Sequence, residues 1–277
     1  MHVTGLFIYP IKSCRGIQLQ QAEVTPKGFM WDREFMVVDE KGLFLTQRKH
    51  PNLARVNVQI EGDYISLSTD ENRVPPLQFQ PTSNGKAIEV TVWRSHLRAI
   101  DQGDAVAAWF QTVLNTQENF RLVRQSPDDP RFVNPKYALQ GNETVSFADG
   151  YPFLLVNTAS LANLNQRLER AYQNDSQTVP MNRFRPNIIV DTDLPFAEDT
   201  WDSIQIDRVI FDLVKPCDRC IIITTNQTTG ERNPNREPFK ILSSFRSVPK
   251  AGILFGENMI PRNTGILKTR DRVEILS

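Results

Sequence analysis

Cysteine and histidine are scarce in this chain of 277 residues, which contains three of each. A small and odd number of cysteines does not form a disulfide framework and is typical of a reducing compartment, so we expect a cytoplasmic protein. His2, His50 and His96 are scattered, and none has a metal-ligand residue three or four positions later. A catalytic triad built on histidine is therefore not expected.

The chain also lacks net charge, long apolar runs and nucleotide-binding glycine motifs. Its 32 basic and 32 acidic side chains balance, so no net field attracts nucleic acid or an anionic membrane, and we expect neither as a partner. No apolar run approaches the ~18 residues of a membrane helix, and the N-terminal segment MHVTGLFIYPIKSCRG does not read as a signal peptide. No G-x-G-x-x-G follows a strand-like run and no P-loop occurs, which leaves a dinucleotide or P-loop site unsupported.

What the sequence does have is a hydrophobic content of 40%, with sixteen phenylalanines, which is enough for a full core. Runs of β-branched and aromatic residues, interrupted by turn residues, predict many short strands. The predicted strands and hairpins lie at 3–10, 33–48, 54–69, 87–95, 120–125, 185–190, 203–215, 220–227 and 265–276. The polar segments 126–142 and 228–238 are predicted to be loops, the second of them exposed.

Helical periodicity is present in two segments, 104–115 and 158–172. Asp104 and Thr158 have the residue types that cap helix N-termini, so we predict that they cap these two helices. The sequence shows no alternation of strand, helix and strand. It therefore favours a β-rich α+β fold of barrel-like units with a few helices, with a seam near residue 120.

The stretch LVKPCDRCIII places Cys217 and Cys220 in C-x-x-C spacing. Structural zinc would need a second C-x-x-C or a histidine pair, and a thioredoxin-like dithiol normally opens a helix, whereas these cysteines precede a predicted strand. Two other interpretations are a pair of small buried hydrophobic residues where a strand begins, and a thiolate ligand to a soft metal in a cofactor. The residues alone leave these alternatives open.

Basic and polar residues recur at the ends of predicted strands. Lys12 and Ser13 follow the first strand, Arg33 begins the next predicted hairpin, and Arg185 and Asn187 stand at the beginning of the strand at 185–190. Arginine and lysine at such positions suit phosphate, and a serine hydroxyl adds a donor. The alternative for each residue by itself is a solvated loop charge, and the turn in SFADGYPF has the alternative of an ordinary β-turn.

Six motifs follow one another along the chain: IYPIKSCRG, FADGYPFLL, RFRPNIIV, VKPCDRCIIITT, EPFKILSSFR and FGENMIPRNTG. Together they resemble the MOSC proteins of the molybdenum-cofactor reductase type, which include the bacterial hydroxylaminopurine-resistance protein and the mitochondrial amidoxime-reducing component. The resemblance covers nearly the whole chain. It implies a MOSC β-barrel, at 121–277, preceded by an N-terminal MOSC-associated β-barrel-like region at 1–120. The first strand, within 1–33, is expected to pack on the MOSC core, and 34–120 to form a largely separate lobe.

The resemblance also implies a set of site residues. Cys220 would be the molybdenum ligand and Cys217 only its neighbour. The positions that match the family's cofactor-binding motifs are Lys12, Ser13, Arg33, Asp149, Gly150, Tyr151, Arg185, Asn187, Arg219 and Asn258. Asp149 is in addition expected to act in catalysis as a proton-relay residue. Gly150 and Tyr151 stand where the mitochondrial relative has small hydroxyl residues, so contacts from such hydroxyls are not carried over.

The function that the resemblance implies is reduction of N-hydroxylated compounds, such as hydroxylaminopurines and amidoximes, by two-electron cleavage of the N–O bond at a cysteine-ligated molybdenum, in detoxification. Bacterial relatives continue into a [2Fe–2S] ferredoxin domain, whereas this sequence stops at VEILS without an iron–sulfur cysteine cluster. We therefore expect no iron–sulfur cluster in this chain. Two interpretations stay open: the electrons come from a ferredoxin-like or other electron-transfer protein with a flavoreductase, or the sequence is a piece of a longer protein that carries the ferredoxin domain. The alternatives are a molybdenum-cofactor or sulfur carrier with a persulfide on Cys220, and a dithiol oxidoreductase that uses Cys217 and Cys220.

Overall fold

The structure is a computed structural model that describes residues 1–70 and 74–277. Its strands in chain order are β1 (Val3–Ile8), β2 (Ile17–Leu19), β3 (Gln21–Thr25), β4 (Gly28–Phe29), β5 (Phe35–Asp39), β6 (Val56–Glu61), β7 (Tyr64–Thr69), β8 (Leu77–Phe79), β9 (Ala87–Val92), β10 (Ser95–Asp101), β11 (Phe120–Gln125), β12 (Arg131–Phe132), β13 (Thr144–Val145), β14 (Phe153–Asn157), β15 (Ile188–Val190), β16 (Ser203–Ile206), β17 (Val209–Asp218), β18 (Ser247–Val248), β19 (Gly252–Pro261), β20 (Gly265–Lys268) and β21 (Val273–Ile275). The α-helices within these residues are α1 (Asp104–Leu114), α2 (Thr158–Tyr172) and α3 (Phe239–Arg246), and short 3-10 helices lie at Pro51–Arg55, Met181–Arg183, Ala197–Thr200 and Ile221–Thr224.

The largest sheet brings the first strand among strands from the second half of the chain. Its order is β2-β1-β15-β14-β19-β17-β16-β21, and β18 pairs with β19. β1 runs antiparallel to β15, with Leu6 opposite Ile188. Both residues belong to one buried cluster with Phe153 and Phe211, whose rings meet edge to face. The turn that follows β1 is therefore held beside the strands of the second half.

The middle of the chain forms two smaller sheets, β5-β11-β10-β9 and β6-β7-β8. The apolar stripe of α1 packs against them, with Val106, Trp109 and Phe110 in the same buried cluster as Leu122 of β11. Because β11 pairs with β5, this sheet continues past residue 120. The division of the chain into domains at 1–120 and 121–277 stays a prediction.

The β-rich α+β fold class that the sequence predicted is confirmed. The predicted hairpin at 54–69 is present as β6 and β7, whose chain reverses through Gly62 at a positive φ of 58°. That conformation suits glycine because it has no Cβ to clash with the carbonyl. The helices predicted at 104–115 and 158–172 are present as α1 and α2.

The segment 220–227, predicted to be a strand, is not one. After Cys220 the chain forms the 3-10 helix Ile221–Thr224. Of the three isoleucines in this run only Ile223 is buried, where it packs in one cluster with Phe184. β-Branched residues form strands where a neighbouring strand can pair with them. Here β17 has already ended at Asp218, and only Ile223 of the run turns into the core.

One predicted hairpin is wrong in its pairing. The segment 265–276 contains β20 and β21, but β20 pairs with β3 and β21 with β16. The hairpin predicted at 33–48 is present in a short form, in which only β5 is a strand and the return run pairs with it through the Val38–Phe44 bridge and the hydrogen bond from the Leu45 N–H to the Val37 carbonyl at 2.8 Å. Apolar alternation predicts extended chain but does not specify which neighbour it pairs with.

The helix caps lie one residue before the predicted ones. α1 is preceded by Gly103 as N-cap, so Asp104 belongs to the first helical turn. α2 is capped by Asn157, whose Oδ1 accepts a hydrogen bond from the backbone N–H of Ala159 at 2.8 Å. Both corrections are small because capping residues cluster at helix starts and pattern alone locates them within a residue or so.

Two further features of the second half were not predicted. β14 and β15 are parallel and α2 connects them, so one strand-helix-strand unit exists where none was expected. α3 is a third helix, whose apolar positions 239, 242 and 245 have helical spacing but span only eight residues, too few to stand out as a period. The loop 228–238 is mostly exposed, as predicted, and its buried residues are Gly230, Glu237 and Pro238.

Candidate functional site

A cleft of about 900 Å3, partly open to solvent, lies where the turn after β1 meets the loops of the second half. All eleven residues that the sequence predicted for the site line it. They are Lys12, Ser13, Arg33, Asp149, Gly150, Tyr151, Arg185, Asn187, Arg219, Cys220 and Asn258. The fold therefore brings together residues that are more than two hundred positions apart in the chain, while the role of each residue stays a prediction.

Three of these residues have a left-handed backbone. The φ angles are 70° at Ser13, 50° at Arg33 and 54° at Arg185. Residues with a Cβ rarely adopt this conformation, and it is enriched at functional sites, where the surrounding structure holds the strain. Here the hydrogen bond from the Arg33 N–H to the Tyr9 carbonyl, at 2.9 Å, is one of the contacts that hold it.

Lys12 and Asp149 form an ion pair at one wall of the cleft. The Lys12 Nζ lies 2.5 Å from Asp149 Oδ1 and donates a second hydrogen bond to the Phe147 carbonyl at 2.9 Å. The Trp93 Nε1–H donates to the same Asp149 oxygen at 3.2 Å. The Lys12 side chain is buried, whereas the Asp149 side chain is exposed. Asp149 therefore accepts hydrogen bonds from two segments of the first half of the chain.

The ionisation of this pair follows from its surroundings. Burial lowers the pKa of the Lys12 ammonium, and the charge of Asp149 works against that shift. Loss of hydration acts to raise the pKa of Asp149, but the charge of Lys12 and its hydrogen bond outweigh it, so this pKa is well below its usual range. Asp149 is therefore a carboxylate at neutral pH and serves as an acceptor.

Arg33 and Asn187 hold each other at the base of the cleft. Arg33 Nη1 forms an ion pair with Asp32 Oδ2 at 2.6 Å and donates to Asn187 Oδ1 at 3.0 Å. Asn187 in turn accepts from the Leu154 N–H at 3.2 Å and donates to the Phe7 carbonyl at 3.1 Å. Both the oxygen and the nitrogen of the Asn187 side-chain amide are thus hydrogen-bonded to protein groups. The direct effect of Asn187 is to fix Arg33.

Three other arginines reach the cleft with neutral partners. Arg185 Nη1 donates to the Cys14 carbonyl at 2.7 Å and to Gln227 Oε1 at 3.3 Å. Arg219 donates to Cys217 Sγ at 3.0 Å and to a backbone carbonyl at 2.6 Å. Arg183 makes one long contact of 3.5 Å to a backbone carbonyl. Within the described residues, none of the three forms an ion pair with a carboxylate.

The cleft consequently has positive charge that the described protein groups do not neutralise. The Nε atoms of Arg183 and Arg219 are buried and have no hydrogen-bond partner in the described part of the chain. Burial lowers the pKa of Arg185 to about 10, because the charged guanidinium loses hydration. Buried donors without partners are unfavourable unless a ligand satisfies them, so this arrangement is suited to an anion.

The three cysteines have different environments. Cys220 is exposed and lines the cleft, directly before the 3-10 helix Ile221–Thr224. Cys217 is half-buried, and burial raises its pKa although Arg219 acts in the opposite direction. Cys14 is fully buried, which raises its pKa to about 12. Of the three thiols, that of Cys220 is the most accessible to a ligand in the cleft.

The remaining predicted residues close the walls. Asn258 on β19 donates from Nδ2 to the Lys215 carbonyl of β17 at 3.0 Å, which sets its side chain at the cleft. The Tyr151 ring packs edge to face on Tyr137, with centroids 5.9 Å apart. Gly150 has open space around it, so a larger side chain would fit at this position.

Sequence reasoning missed several residues that line the cleft. Trp93, at the turn between β9 and β10, is 41% exposed, and its φ of 55° is left-handed. The sequence placed Trp93 inside the predicted strand at 87–95 and so gave no signal of an exposed turn residue. Gln47, which lies in the cleft and exchanges hydrogen bonds of 2.9 Å with Gln227, gives no signal either. Arg183 lies two residues before Arg185, and its place in the cleft becomes visible only in the structure.

These donors fit the chemistry of a molybdenum cofactor. Such a cofactor carries a phosphate, which suits the unneutralised guanidiniums, and a sulfur-rich metal that takes a soft thiolate, which suits Cys220. No group of three or more His, Cys, Asp or Glu side chains is arranged to hold a metal ion among the described residues. The donor set is therefore that of an anionic cofactor with a single protein thiol, as opposed to a metal held by several side chains.

Comparisons with known proteins give a consistent result. The model of the MOSC N-terminal beta barrel domain matches residues 1–117, and the model of the MOSC domain matches residues 142–274. Mitochondrial amidoxime-reducing component 1 of Homo sapiens is 31% identical, over 99% of this chain and 82% of its own length. Mitochondrial amidoxime reducing component 2 of Bos taurus is 34% identical, over 98% and 82%, and that of Rattus norvegicus is 32% identical, over 98% and 82%.

A solution structure of a protein from Bordetella bronchiseptica also matches, over 44% of this chain and 89% of that one. Its sequence identity is 18% and the TM-score is 0.35, which is too low to support any conclusion about the site. Among the described residues, the structure has no helix that is both long and apolar enough to span a membrane.

Proposed function

The chain belongs to the MOSC family that contains the mitochondrial amidoxime-reducing components, and on that premise we propose that it is a molybdenum-cofactor-dependent reductase of N-hydroxylated compounds. The observation that supports this most is the convergence of an exposed thiol, Cys220, with three guanidiniums that lack carboxylate partners, in one cleft of the described structure. The bound cofactor would supply the two-electron chemistry that cleaves an N–O bond.

Cys220 is the residue that would ligate the metal. Its thiol is exposed in the cleft, whereas Cys217 already accepts a hydrogen bond from Arg219 and is half-buried. A metal ligand must give up its proton, and burial opposes this at Cys217 because it raises the pKa of that thiol. The C-x-x-C spacing then has one ligand and one neighbour.

The arginines would hold the anionic part of the cofactor. Arg183, Arg185 and Arg219 contribute donors that the described protein groups leave partly free. Arg33 is different, since Asp32 neutralises it and Asn187 orients it. We assign it to orientation of the neighbouring arginine, because its Nη2 also donates to the Arg185 carbonyl at 3.1 Å.

Lys12, Asp149 and Trp93 would form the wall that the substrate passes. Reduction of an N–O bond consumes protons, and in this pair the proton resides on the Lys12 Nζ, because Asp149 is ionised. Asp149 therefore holds the ammonium in place and accepts from Trp93. A catalytic role for Asp149 stays a proposal. In that role its carboxylate would accept a proton within a proton relay.

The physiological substrate, the electron donor and the cytoplasmic location stay predictions, and the relatives named above are mitochondrial by name. We expect electrons from a separate electron-transfer protein together with a flavoreductase. Detoxification of N-hydroxylated compounds is the biological role that this activity would serve.

The experiment is a measurement of molybdenum and pterin per chain in protein purified from a host that makes the cofactor. We expect near-stoichiometric amounts in the parent. In the variant Cys220→Ala, molybdenum should be lost or weakened, since its protein ligand is gone. Cys217→Ala is the matched control, a change of the same size three residues away, and it should retain the metal.

Two outcomes would contradict this function. Equal metal loss in Cys217→Ala and Cys220→Ala would show that the ligand assignment is wrong. Absence of both molybdenum and pterin from the parent, with cofactor assembly confirmed in that host, would favour the sulfur-carrier alternative. In that case a persulfide on Cys220, detected by intact mass, would be the expected finding.

A further inference from the structure

Tyr9 lies between two arginines of the cleft, one from the first half of the chain and one from the second. Its ring is buried, with 2% of the residue exposed. The Cζ atom of Arg33 is 4.2 Å from the ring centroid, and the Cζ atom of Arg185 is also 4.2 Å from it. Both distances are well inside the range of cation–π attraction, which strengthens when the groups are removed from water.

The ring itself is held from both ends. The Tyr9 hydroxyl donates to the Pro186 carbonyl at 3.2 Å, and the Tyr9 backbone N–H donates to Asp32 Oδ1 at 2.8 Å. Burial raises the pKa of this phenol to about 12, so the hydroxyl keeps its proton and remains a donor. Tyr9 is thus hydrogen-bonded to Pro186, which follows Arg185, and to Asp32, which precedes Arg33.

Gly16 provides the space that this ring occupies. A Cβ atom at Gly16 would lie 2.5 Å from Tyr9 Cε1 and 2.8 Å from Cδ1. Side chains do not approach that closely, so any larger residue would displace the ring. The φ angle of Gly16 lies outside the positive region, so its backbone accepts alanine and only the space is at issue.

The ring orients Arg185 in a way that a carboxylate could not. A carboxylate would neutralise the guanidinium and occupy its N–H donors, whereas an aromatic face attracts the charge and leaves the donors at its edge free. Arg185 donates only from Nη1 to described protein atoms, so its Nη2 and Nε donors are left for a ligand. The site thereby keeps both a defined geometry and its positive charge.

We propose that Tyr9 is a positioning residue of the anion site, whose ring packs on Arg33 and fixes Arg185 without consuming the donors of Arg185, and that Gly16 is required to leave room for the ring. The identity of the anion as the cofactor phosphate rests on the proposed function, while the positioning itself does not. No predicted site residue other than the two arginines takes part in this arrangement.

The test uses the full chain without cofactor, from a host that cannot make it, and inorganic phosphate as the probe. The dissociation constant is taken from the phosphate dependence of the melting temperature. Tyr9→Leu removes the ring and should weaken phosphate binding about tenfold or more, since two desolvated cation–π contacts are removed. Tyr9→Phe keeps the ring and loses only the hydroxyl, so it should bind phosphate within about twofold of the parent.

Two controls separate positioning from general damage. Phe110→Leu removes a fully buried ring of α1 that does not line the cleft, and should leave the phosphate affinity unchanged. Gly16→Ala displaces the Tyr9 ring without altering Tyr9, and should resemble Tyr9→Leu. If Tyr9→Leu fails to fold, Gly16→Ala decides the question.

The proposal is overturned if Tyr9→Leu or Gly16→Ala binds phosphate as tightly as the parent, or if the parent itself does not bind phosphate. It is likewise overturned if Phe110→Leu weakens binding as much as Tyr9→Leu. Molybdenum and pterin content of the same variants from a competent host gives the second readout. A parent that binds phosphate in a Tyr9-dependent way but never contains cofactor would contradict the proposed function and leave the role of Tyr9 intact.

Discussion

Two acids in this protein have opposite ionisation behaviour because their neighbours differ. The ammonium of Lys12 and its hydrogen bond keep the pKa of Asp149 low, although loss of hydration acts the other way. Glu257 on β19 is buried, and its Oε1 has no hydrogen-bond partner among the described residues. Burial, together with the carboxylates of Asp199 and Glu198, raises the pKa of Glu257 to about 8. Asp149 is therefore charged at neutral pH, while Glu257 holds a proton.

The raised pKa of Glu257 predicts how stability depends on pH. The folded chain keeps this proton up to about pH 8, whereas the unfolded chain releases it at the ordinary, lower pKa. Stability from this group is therefore fully present below the unfolded pKa and is lost as the pH rises towards 8. Glu257→Gln removes the titration, so from pH 5 to pH 8 the variant should gain about 1–3 kcal/mol relative to the parent.

Urea denaturation of the parent and Glu257→Gln at a series of pH values gives the unfolding free energies for this comparison. Curves that stay parallel from pH 5 to pH 8 would mean that Glu257 is already ionised in the folded protein. Arg246, which acts to lower the pKa of Glu257, would then be the dominant neighbour.

At the scale of elements, the junction between β14 and α2 depends on one side chain. Asn157 caps α2 through the N–H of Ala159, and its Nδ2 donates to Thr192 Oγ1 at 2.6 Å, to a backbone carbonyl, and to Glu198 Oε2 at 3.1 Å. Asn157 is fully buried. It therefore joins the start of the helix to the loop after β15 and to a buried carboxylate.

Removal of this cap should be costly. We expect Asn157→Ala to lower the unfolding free energy by about 2–4 kcal/mol, because it removes a helix cap and one of the buried donors to Glu198. Thr158→Ala, one residue later, is the matched control and should change stability by less than about 0.5 kcal/mol. Denaturant titration of both variants gives the comparison, and equal effects would reassign the cap to Thr158.

At the scale of the whole molecule, the cleft exists only because segments from distant parts of the chain meet. The turn after β1 contributes Lys12, the hairpin turn after β9 contributes Trp93, and the second half contributes Asp149. The loop at 228–238 spans the same junction, since Arg232 donates to the Gln47 carbonyl at 3.2 Å. A substitution that separates any of these segments should therefore loosen the site.

The supply of electrons is a prediction about the whole molecule. The chain has three cysteines, whereas iron–sulfur clusters of the ferredoxin type usually take four cysteine ligands. We expect the cofactor-loaded chain to reduce an N-hydroxylated substrate only slowly with NAD(P)H and a flavoreductase. Addition of a ferredoxin-like carrier should raise the rate by at least about tenfold, since the carrier would bring electrons from the reductase to the cofactor.

Rates of NAD(P)H oxidation with and without the carrier provide the measurement, with Cys220→Ala as the inactive control. Rapid turnover without any carrier would contradict the expectation and imply direct transfer from the flavoreductase.

Much of the site could be predicted, but only through the order of its motifs. Residue chemistry alone left Lys12, Arg185 and Cys220 each with an ordinary alternative. The motif order selected them, and all line one cleft. Tyr9 and Trp93 were not predicted, because their contacts with charged groups arise from packing that no local pattern encodes.

The sequence by itself determined the elements whose signals are local. The β6–β7 hairpin follows from alternation around a glycine turn, and α1 and α2 follow from their apolar stripes. These signals involve residues a few positions apart, where turn geometry and side-chain period decide the conformation.

Only the tertiary structure decided how distant segments pair and which charges remain unpaired. It turned the isoleucine run after Cys220 into a 3-10 helix, sent β20 and β21 to different neighbours, and placed Tyr9 against two guanidiniums. The energies involved, burial and charge–charge or cation–π attraction, depend on distances through space. Separation along the chain carries no information about them, so they appear only when the chain is folded.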